Sequence, residues 1–425
     1  MKMKKIACAA VLCVLGGSAF ASSSHTDQIG EGPIPKGIPK LDHVFVIMME
    51  NHGAAQLLNN PNAPFINQYL HQANYGANYF AIAHPSLTNY LEVTGGSNFG
   101  IHSDNSPEWH SSTCITNLQS GTANTEHPKS PKICPIGGTG TDAETPAIDL
   151  TNETQGAPGT VNIDGKQSIP ASKHTVGKSI ADQLAAAKMT YRSYQESLPA
   201  SGADHVNSSD GVFTNRTDFD AMTSKIDPPL SKKDIVALYA VKHDPFAYFK
   251  STQEGTDPLN TLANTVPFDG SHGLYADLAS DQVPNFSFIV PNQCHDMHGR
   301  DNVSRLCAYD SSNDGTAEGL NPALIRAGDT SVETIVNAIK ASKTWQSGHD
   351  AIVVVWDEND EAKAPNPNQV LLIVDTNYGS RGVVSQTRYS HFSLLKTLES
   401  GFGLPCLNHA CDASTNTMTD LFKAP

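Results

Sequence analysis

Positive charge is scarce in this 425-residue sequence: 28 Lys and Arg stand against 43 Asp and Glu, a formal charge of −15. No basic run or Lys-rich helix offsets that balance. Phosphate backbones attract Lys and Arg, so nucleic acid is excluded as an expected partner. Beyond the first 21 residues no stretch is apolar enough to cross a bilayer, which takes roughly 20 residues. No CxxC occurs, which argues against a Cys-rich metal site. No internal repeat is visible. What is present is 39% hydrophobic and 17% charged residues. That composition builds a packed core rather than a disordered chain. The length excludes a small disulfide-stapled module and suits one large domain or two ordinary ones.

Residues 1–21 open with Lys2, Lys4 and Lys5, continue with an apolar stretch from Ile6 to about Gly17, and end in Ala19-Phe20-Ala21. This is the pattern of a secretory signal peptide. Cys8 and Cys13 lie inside the apolar run rather than at the cleavage point, which argues against a lipoprotein. A soluble, exported product, periplasmic or secreted, is the expectation. Cys114, Cys134, Cys294, Cys307, Cys406 and Cys411 then remain, an even number that suggests disulfides in an exported protein. Several connectivities are open. The local pairs 114/134, 294/307 and 406/411 close the shortest loops.

Residues 22–40 form a Ser-, Gly- and Pro-rich leader. From 41 to 425 the pattern suits a single domain with one irregular insertion at about 103–175. His43 to Met49 is a continuous apolar run, as expected of a strand covered on both faces. Strands are expected at 190–194, 285–290, 351–356 and 370–374, and helices at 179–189, 331–342 and 390–400. Alternation of this kind predicts an α/β fold: a three-layer sandwich, mostly parallel in its central sheet, with helices on both faces.

Three of these strands run into polar clusters. Residues 43–49 lead to Glu50-Asn51, 351–356 to Asp357-Glu358-Asn359-Asp360, and 285–290 to Asn292 and then His295-Asp296-Met297-His298. One acidic pair after a strand is ordinarily a solvated loop. Three clusters on one edge of a parallel sheet would instead converge, and carboxylates, an amide and imidazoles together suit a divalent cation. Ser86 begins an apolar helical stretch, where amides point outward. It reads either as a plain N-cap or as a nucleophile, with Asn89 beside it to hold a phosphate.

Together the segments Asp42–His52, His84–Tyr90, Tyr194–Glu196, Lys242–Phe246, Cys294–His298, Trp356–Glu358 and Tyr389–Glu399 resemble the bacterial phospholipase C and acid phosphatase family of phosphoesterases, within the alkaline phosphatase superfamily. They occur in the expected order from about 40 to 404. The resemblance implies an alkaline-phosphatase-like sandwich. It implies Glu50, Asn51, Asp357 and Glu358 as ligands of a divalent metal that also meets Ser86, the nucleophile of a phosphoseryl pathway. Asn89 would contact the phosphate. Asp296, His298 and His391 would bind metal or assist hydrolysis, while His243 and His295 would contact substrate. Zinc is the metal implied, with manganese or calcium as alternatives. Asn292 stands where related enzymes often carry Asp, so the expectation is one tightly held metal, with a weaker second as the alternative. The extra C-terminal β domains of the longer phospholipases are not expected after the last of these segments.

The resemblance leans toward a phospholipase C that meets a membrane surface transiently. The acidic charge suits zwitterionic lipids such as phosphatidylcholine. The alternatives are an acid phosphatase acting on monoesters and a non-catalytic exported metal-binding protein. A sulfatase is disfavoured, because the C/S-x-P-x-R arrangement is absent around Ser86.

Overall fold

The structure, a computed structural model, describes residues 31–99, 101, 104, 177–198, 238–270, 272–300, 305–308, 320–359 and 368–423. It also describes the backbone of two-residue strands at 115–116, 133–134, 148–149 and 208–209. The expected signal peptide, most of the expected insertion and the Cys114–Cys134 pairing lie outside the described residues.

An eight-stranded sheet forms the centre. Its strands are β1 (His43–Met49), β2 (Asn74–Gly76), β3 (Tyr191–Gln195), β4 (Thr265–Pro267), β5 (Phe286–Val290), β6 (Asp350–Trp356), β7 (Leu372–Thr376) and β8 (Val384–Ser385), in the order β4-β3-β5-β1-β6-β7-β2-β8. β1 lies parallel between β5 and β6, and its register pairs Ile47 with Ile289 on one side and Val354 on the other. β3 and β4 extend the parallel half. The expected strand at 370–374 is found at Leu372–Thr376 and runs antiparallel to both β6 and β2. All seven residues of β6 and all five of β5 are buried. That explains why Ala351–Trp356 reads as an unbroken apolar run and β5 carries Ser287 as its one polar residue: with both faces covered, no polar alternation is needed.

The helices are α1 (Ala54–Leu57), α2 (Pro64–Gln72), α3 (Ser86–Gly95), α4 (Ile180–Ala186), α5 (Lys250–Glu254), α6 (Leu274–Ser280), α7 (Pro322–Ala341) and α8 (His391–Phe402). They contact each other in two groups. α3 packs on α8 and α4, and α4 on α5, whereas α7 packs on α2 and α6. The mostly parallel α/β sandwich is therefore as expected. The helix expected at 331–342 is longer, beginning at Pro322 behind an Asn321 N-cap that accepts from Ala323 N. Gly328 and Asp329 are buried in its first half, where they blur the apolar periodicity.

One apolar core cluster gathers residues from Leu41 to Phe422. The end of the Ser/Gly/Pro-rich leader joins it. Gly32 N donates to Cys406 O at 2.8 Å, and Cys406 N donates to Pro33 O at 3.2 Å. The expected disulfides Cys294–Cys307 and Cys406–Cys411 are both formed.

Candidate active site

Because β1, β5 and β6 are parallel, their carboxyl ends share one edge, and residues as far apart in sequence as Asn51 and Asp357, 306 positions, meet there. The backbone stitches the three ends together. Glu50 N donates to Asp296 O at 2.8 Å, and Asp357 N donates to Met49 O at 2.9 Å. Asn51 turns off the edge with a left-handed φ of 54° and donates its N–H to Asp357 Oδ1 at 3.2 Å. Asn is among the residues that tolerate this conformation.

Ser86 opens α3, a helix in which every residue is buried, so its position is set by packing on all sides. Its hydroxyl lies 3.2 Å from Glu50 Oε2 and 3.3 Å from Glu358 Oε1. Lys242 Nζ approaches the same Oγ at 3.4 Å. One turn along α3, Asn89 donates to Glu358 Oε2 at 3.0 Å, and its own Oδ1 accepts from Ile82 N and Ala83 N. Tyr90, on the same helix, donates to Glu50 Oε1 at 2.8 Å. His84 Nδ1 lies 3.1 Å from Glu358 Oε2. α3 thus presents a hydroxyl, an amide and a phenol to carboxylates from two strand ends.

His243 is buried between carboxylates, with Nε2 3.0 Å from Glu50 Oε1 and Nδ1 3.4 Å from Asp296 Oδ2. It stacks on Tyr90 at 5.2 Å between ring centres. His298 N is held by Asp296 Oδ1 at 2.7 Å, and its Nε2 lies 3.1 Å from Lys242 Nζ.

Two residues named from sequence are placed differently. His391 sits at the start of α8, with Nε2 2.6 Å from Asp357 O and Nδ1 2.8 Å from Tyr79 OH. Both ring nitrogens are thus engaged, and the imidazole props the backbone of Asp357. His295 stands outside the cluster, partly exposed and paired with Glu196 at 2.8 Å. Asn292 donates its side-chain amide to Ser197 Oγ.

Sequence reasoning gave no role to Lys242, Asp104, Tyr90 or His84. Lys242, His84 and Tyr90 lie inside segments that carried the resemblance. Asp104 had no signal, because it falls in an irregular stretch whose partners are set only by the fold.

A profile of the Phosphoesterase family matches residues 54–306 and 317–405. The chain belongs to this family. It is a hydrolase of phosphoric esters. A phosphatidylinositol-3-phosphatase from Mycobacterium tuberculosis is 23% identical over 407 residues, 95% of this chain and 91% of that protein. An acid phosphatase from Aspergillus fumigatus is 23% identical over 331 residues, 78% of this chain and 48% of that protein. The chain therefore spans about half the length of the second relative. A solved alkaline phosphatase superfamily protein from Vibrio parahaemolyticus overlays with a TM-score of 0.43 at 13% identity, covering 90% of this chain and 72% of that one.

The phosphoesterase family implies a metal, and the residues present fit one. Asn51 Oδ1 and Asp357 Oδ2 are buried oxygens with no hydrogen-bond donor among the described residues. Ligand atoms of Glu50, His243 and His298 lie within 4.8 Å of one another. Hard oxygen donors with imidazole nitrogen are the mixed set that divalent cations accept.

The electrostatics agree. Burial pushes the Glu50 carboxyl up to about 7 against the pull of Lys242 and the Tyr90 hydrogen bond. Burial, and then the charge of Glu50, hold Asp357 and Asp296 well above the usual carboxylate range. Burial, and then Lys242, hold His243 and His298 well below the usual imidazole value. Neutral imidazoles beside crowded acids are a donor set short of positive charge.

Proposed function

We propose that this phosphoesterase is a metal-dependent phosphatase that cleaves phosphomonoesters with Ser86 as nucleophile. The observation that carries this reading is the convergence of Glu50, Glu358 and Lys242 on one hydroxyl, at 3.2, 3.3 and 3.4 Å. Pro85, not Ser86, is the N-cap of α3, and a serine at a helix start with only a structural task has no use for two carboxylates and an ammonium. The curated relatives named above are both phosphatases, which favours monoesters over the diester cleavage of a phospholipase C.

Glu50, Asn51 and Asp357 would hold the divalent cation, with Glu358, His243 and His298 close by. When bound, the cation supplies positive charge for phosphoryl oxygens and lowers the proton affinity of a nearby hydroxyl. The rest of the chemistry belongs to the chain. Ser86 Oγ gives its proton to the carboxylate of Glu50 or Glu358, both within hydrogen-bond reach. Oγ then attacks phosphorus in line, the ester P–O bond breaks, and the alcohol leaves with a proton. Water attacks the phosphoserine, releases phosphate and restores the Ser86 hydroxyl, so one water is consumed per ester. Asn89 is fixed by three hydrogen bonds to the backbone of Ile82 and Ala83, and its second amide N–H, which donates to Glu358 Oε2 at 3.0 Å, is the one that would exchange that carboxylate for a phosphoryl oxygen.

Export belongs to the same proposal. Its support is the Lys-led apolar segment ending at Ala21 together with two formed disulfides. N-terminal sequencing of protein from the extracytoplasmic fraction checks it, with a start at Ser22 expected.

The test of the reaction is side-by-side turnover of p-nitrophenyl phosphate and of phosphatidylcholine vesicles, with and without EDTA, for the wild type and Ser86→Ala. Monoester cleavage that EDTA abolishes, reduced about 10³-fold or more by Ser86→Ala, is expected. Diacylglycerol release without monoester cleavage would return the reading to phospholipase C. Silence on both after zinc and manganese are restored would point to a metal-binding protein without catalysis.

A further inference from the structure

Among the described residues Lys242 is the one ammonium placed against the Ser86 hydroxyl, and the proposed chemistry leaves it without a task. Its side chain is 6% exposed. An ammonium has three N–H donors, and three acceptors surround it. Asp104 Oδ2 is at 2.7 Å, His298 Nε2 at 3.1 Å and Ser86 Oγ at 3.4 Å. The first two are good hydrogen bonds and fix the nitrogen in place. The third is long and is directed at the atom that would bond to phosphorus. Asp104 is itself tied to the nucleophile's helix, because its Oδ1 accepts from Leu87 N at 3.1 Å. Lysine, carboxylate and helix start thus form one rigid unit.

We infer that Lys242 is a specificity-determining catalytic residue whose third N–H is kept for a phosphoryl oxygen, so that the site selects doubly charged monoesters over singly charged diesters. This rests on Ser86 being the group that takes the phosphoryl. The physical basis is charge. A phosphomonoester carries about −1.5 to −2 at neutral pH, whereas a diester carries a single charge and has one oxygen fewer free to accept. A fixed cation at a buried site favours the ligand with more charge, and more strongly there than in bulk water. A lysine serving only as the counter-ion of Asp104 would not discriminate between the two esters.

The full chain, supplied with zinc, is assayed on p-nitrophenyl phosphate and on bis(p-nitrophenyl) phosphate, which share a leaving group. Removing Lys242 alone would strand Asp104 as an unpaired buried charge, so the main variant is Lys242→Gln with Asp104→Asn. Its kcat/KM for the monoester is expected to fall by about 100-fold, the scale seen when one donor to a reacting oxyanion is lost. The diester value is expected to fall by less than about tenfold, on the weaker pull a fixed cation exerts on a single charge. Lys242→Arg, which keeps the charge, is expected to retain most of the monoester preference. If the double variant does not fold, Lys242→Met with Asp104→Asn takes its place, which again leaves no unpaired charge.

A monoester-to-diester ratio unchanged from wild type overturns the inference. A readout without turnover is the affinity for inorganic phosphate in the Ser86→Ala background. Adding the Lys242 change is expected to weaken it about tenfold, as loss of a charge-assisted hydrogen bond would, and unchanged affinity also overturns the inference. A Ser86→Ala protein that still turns over would instead defeat the reading of Ser86. An inactive Ser86→Ala with an unaltered ester ratio in the double variant defeats the Lys242 inference alone.

Discussion

The hydroxyl of Tyr90 donates to Glu50 Oε1 at 2.8 Å, so the helix that begins with Ser86 also steers a carboxylate at the end of the central strand. Nucleophile and candidate metal ligand are thereby set by the same rigid element. Tyr90→Phe would keep the stack on His243 and lose only the hydroxyl. Partners of this kind orient ligands, and their removal typically costs 10- to 100-fold in metal affinity. A loss of about tenfold in zinc affinity is expected, read by chelator competition, with little change in melting temperature in the presence of excess metal. Unchanged affinity would show that Glu50 does not need the hydroxyl.

Metal removal should cost stability as well as activity. Glu50, Asp296 and Asp357 are fully buried within one cluster. Without a cation, their crowded acids have Lys242 as the nearby fixed positive charge. Binding at 100 times Kd stabilises by about 2.7 kcal/mol. EDTA is therefore expected to lower the melting temperature by a few degrees, and zinc or manganese to restore it. A melting curve indifferent to EDTA and to added metal would count against a folded-state metal site.

Away from the site, Glu399 in α8 is buried, and its Oε1 accepts from Leu407 N at 2.8 Å. Burial raises its pKa well above the ordinary value, opposed by the Leu407 hydrogen bond and Lys396. The folded state therefore keeps a proton that the unfolded state releases. That contribution to stability is complete below the unfolded pKa and is lost as pH rises through the folded one. Glu399→Gln keeps an acceptor for Leu407 N and has no charge to bury. The variant is expected to match wild type near pH 4 and to melt about 2–4 °C higher at pH 8. Equal melting at both pH values would refute the assignment.

Gly32 lies against the Cys406–Cys411 disulfide, and a Cβ there would come within 2.6 Å of both sulfurs. Gly32→Ala must push the leader segment off the bridge or shift the bridge itself. Overpacking of this kind costs about 1–3 kcal/mol. Denaturant unfolding is expected to show that loss, and limited proteolysis to cut sooner near residue 32. If stability is unchanged, the leader is not held by this contact.

Much of the frame could be read directly from the residues. Val44 to Met49 and Ala351 to Trp356 are apolar throughout because they are buried along their whole length, and each is followed by its acids. Once two such strands are parallel, Glu50 and Asp357 must be neighbours. The reversed direction of β7 was hidden, because a buried antiparallel strand in the sheet interior has the same unbroken apolar signature. β2 was hidden because Asn74-Tyr75-Gly76 is too short to show a pattern. In the site, the residues at strand ends were legible, but their partners were not. Asp104 and Lys242 meet across 138 positions of chain, and no local spacing encodes that contact. His391 illustrates the converse. Its motif is strong, yet its nitrogens are taken by Asp357 O and Tyr79 OH, and only packing decides that.

The carboxylates around Ser86 come from strand ends that are separated by some three hundred residues and joined by hydrogen bonds such as Asn51 N to Asp357 Oδ1. No short piece of the chain holds more than a fragment of that donor set. The ability to capture a cation is therefore a property of the closed sheet, and an unfolded chain would compete poorly for scarce metal. Ion affinity then serves as a gauge of sheet integrity. A lesion that lets β1 and β6 slip by one register should show as weakened metal capture, even with every ligand in place.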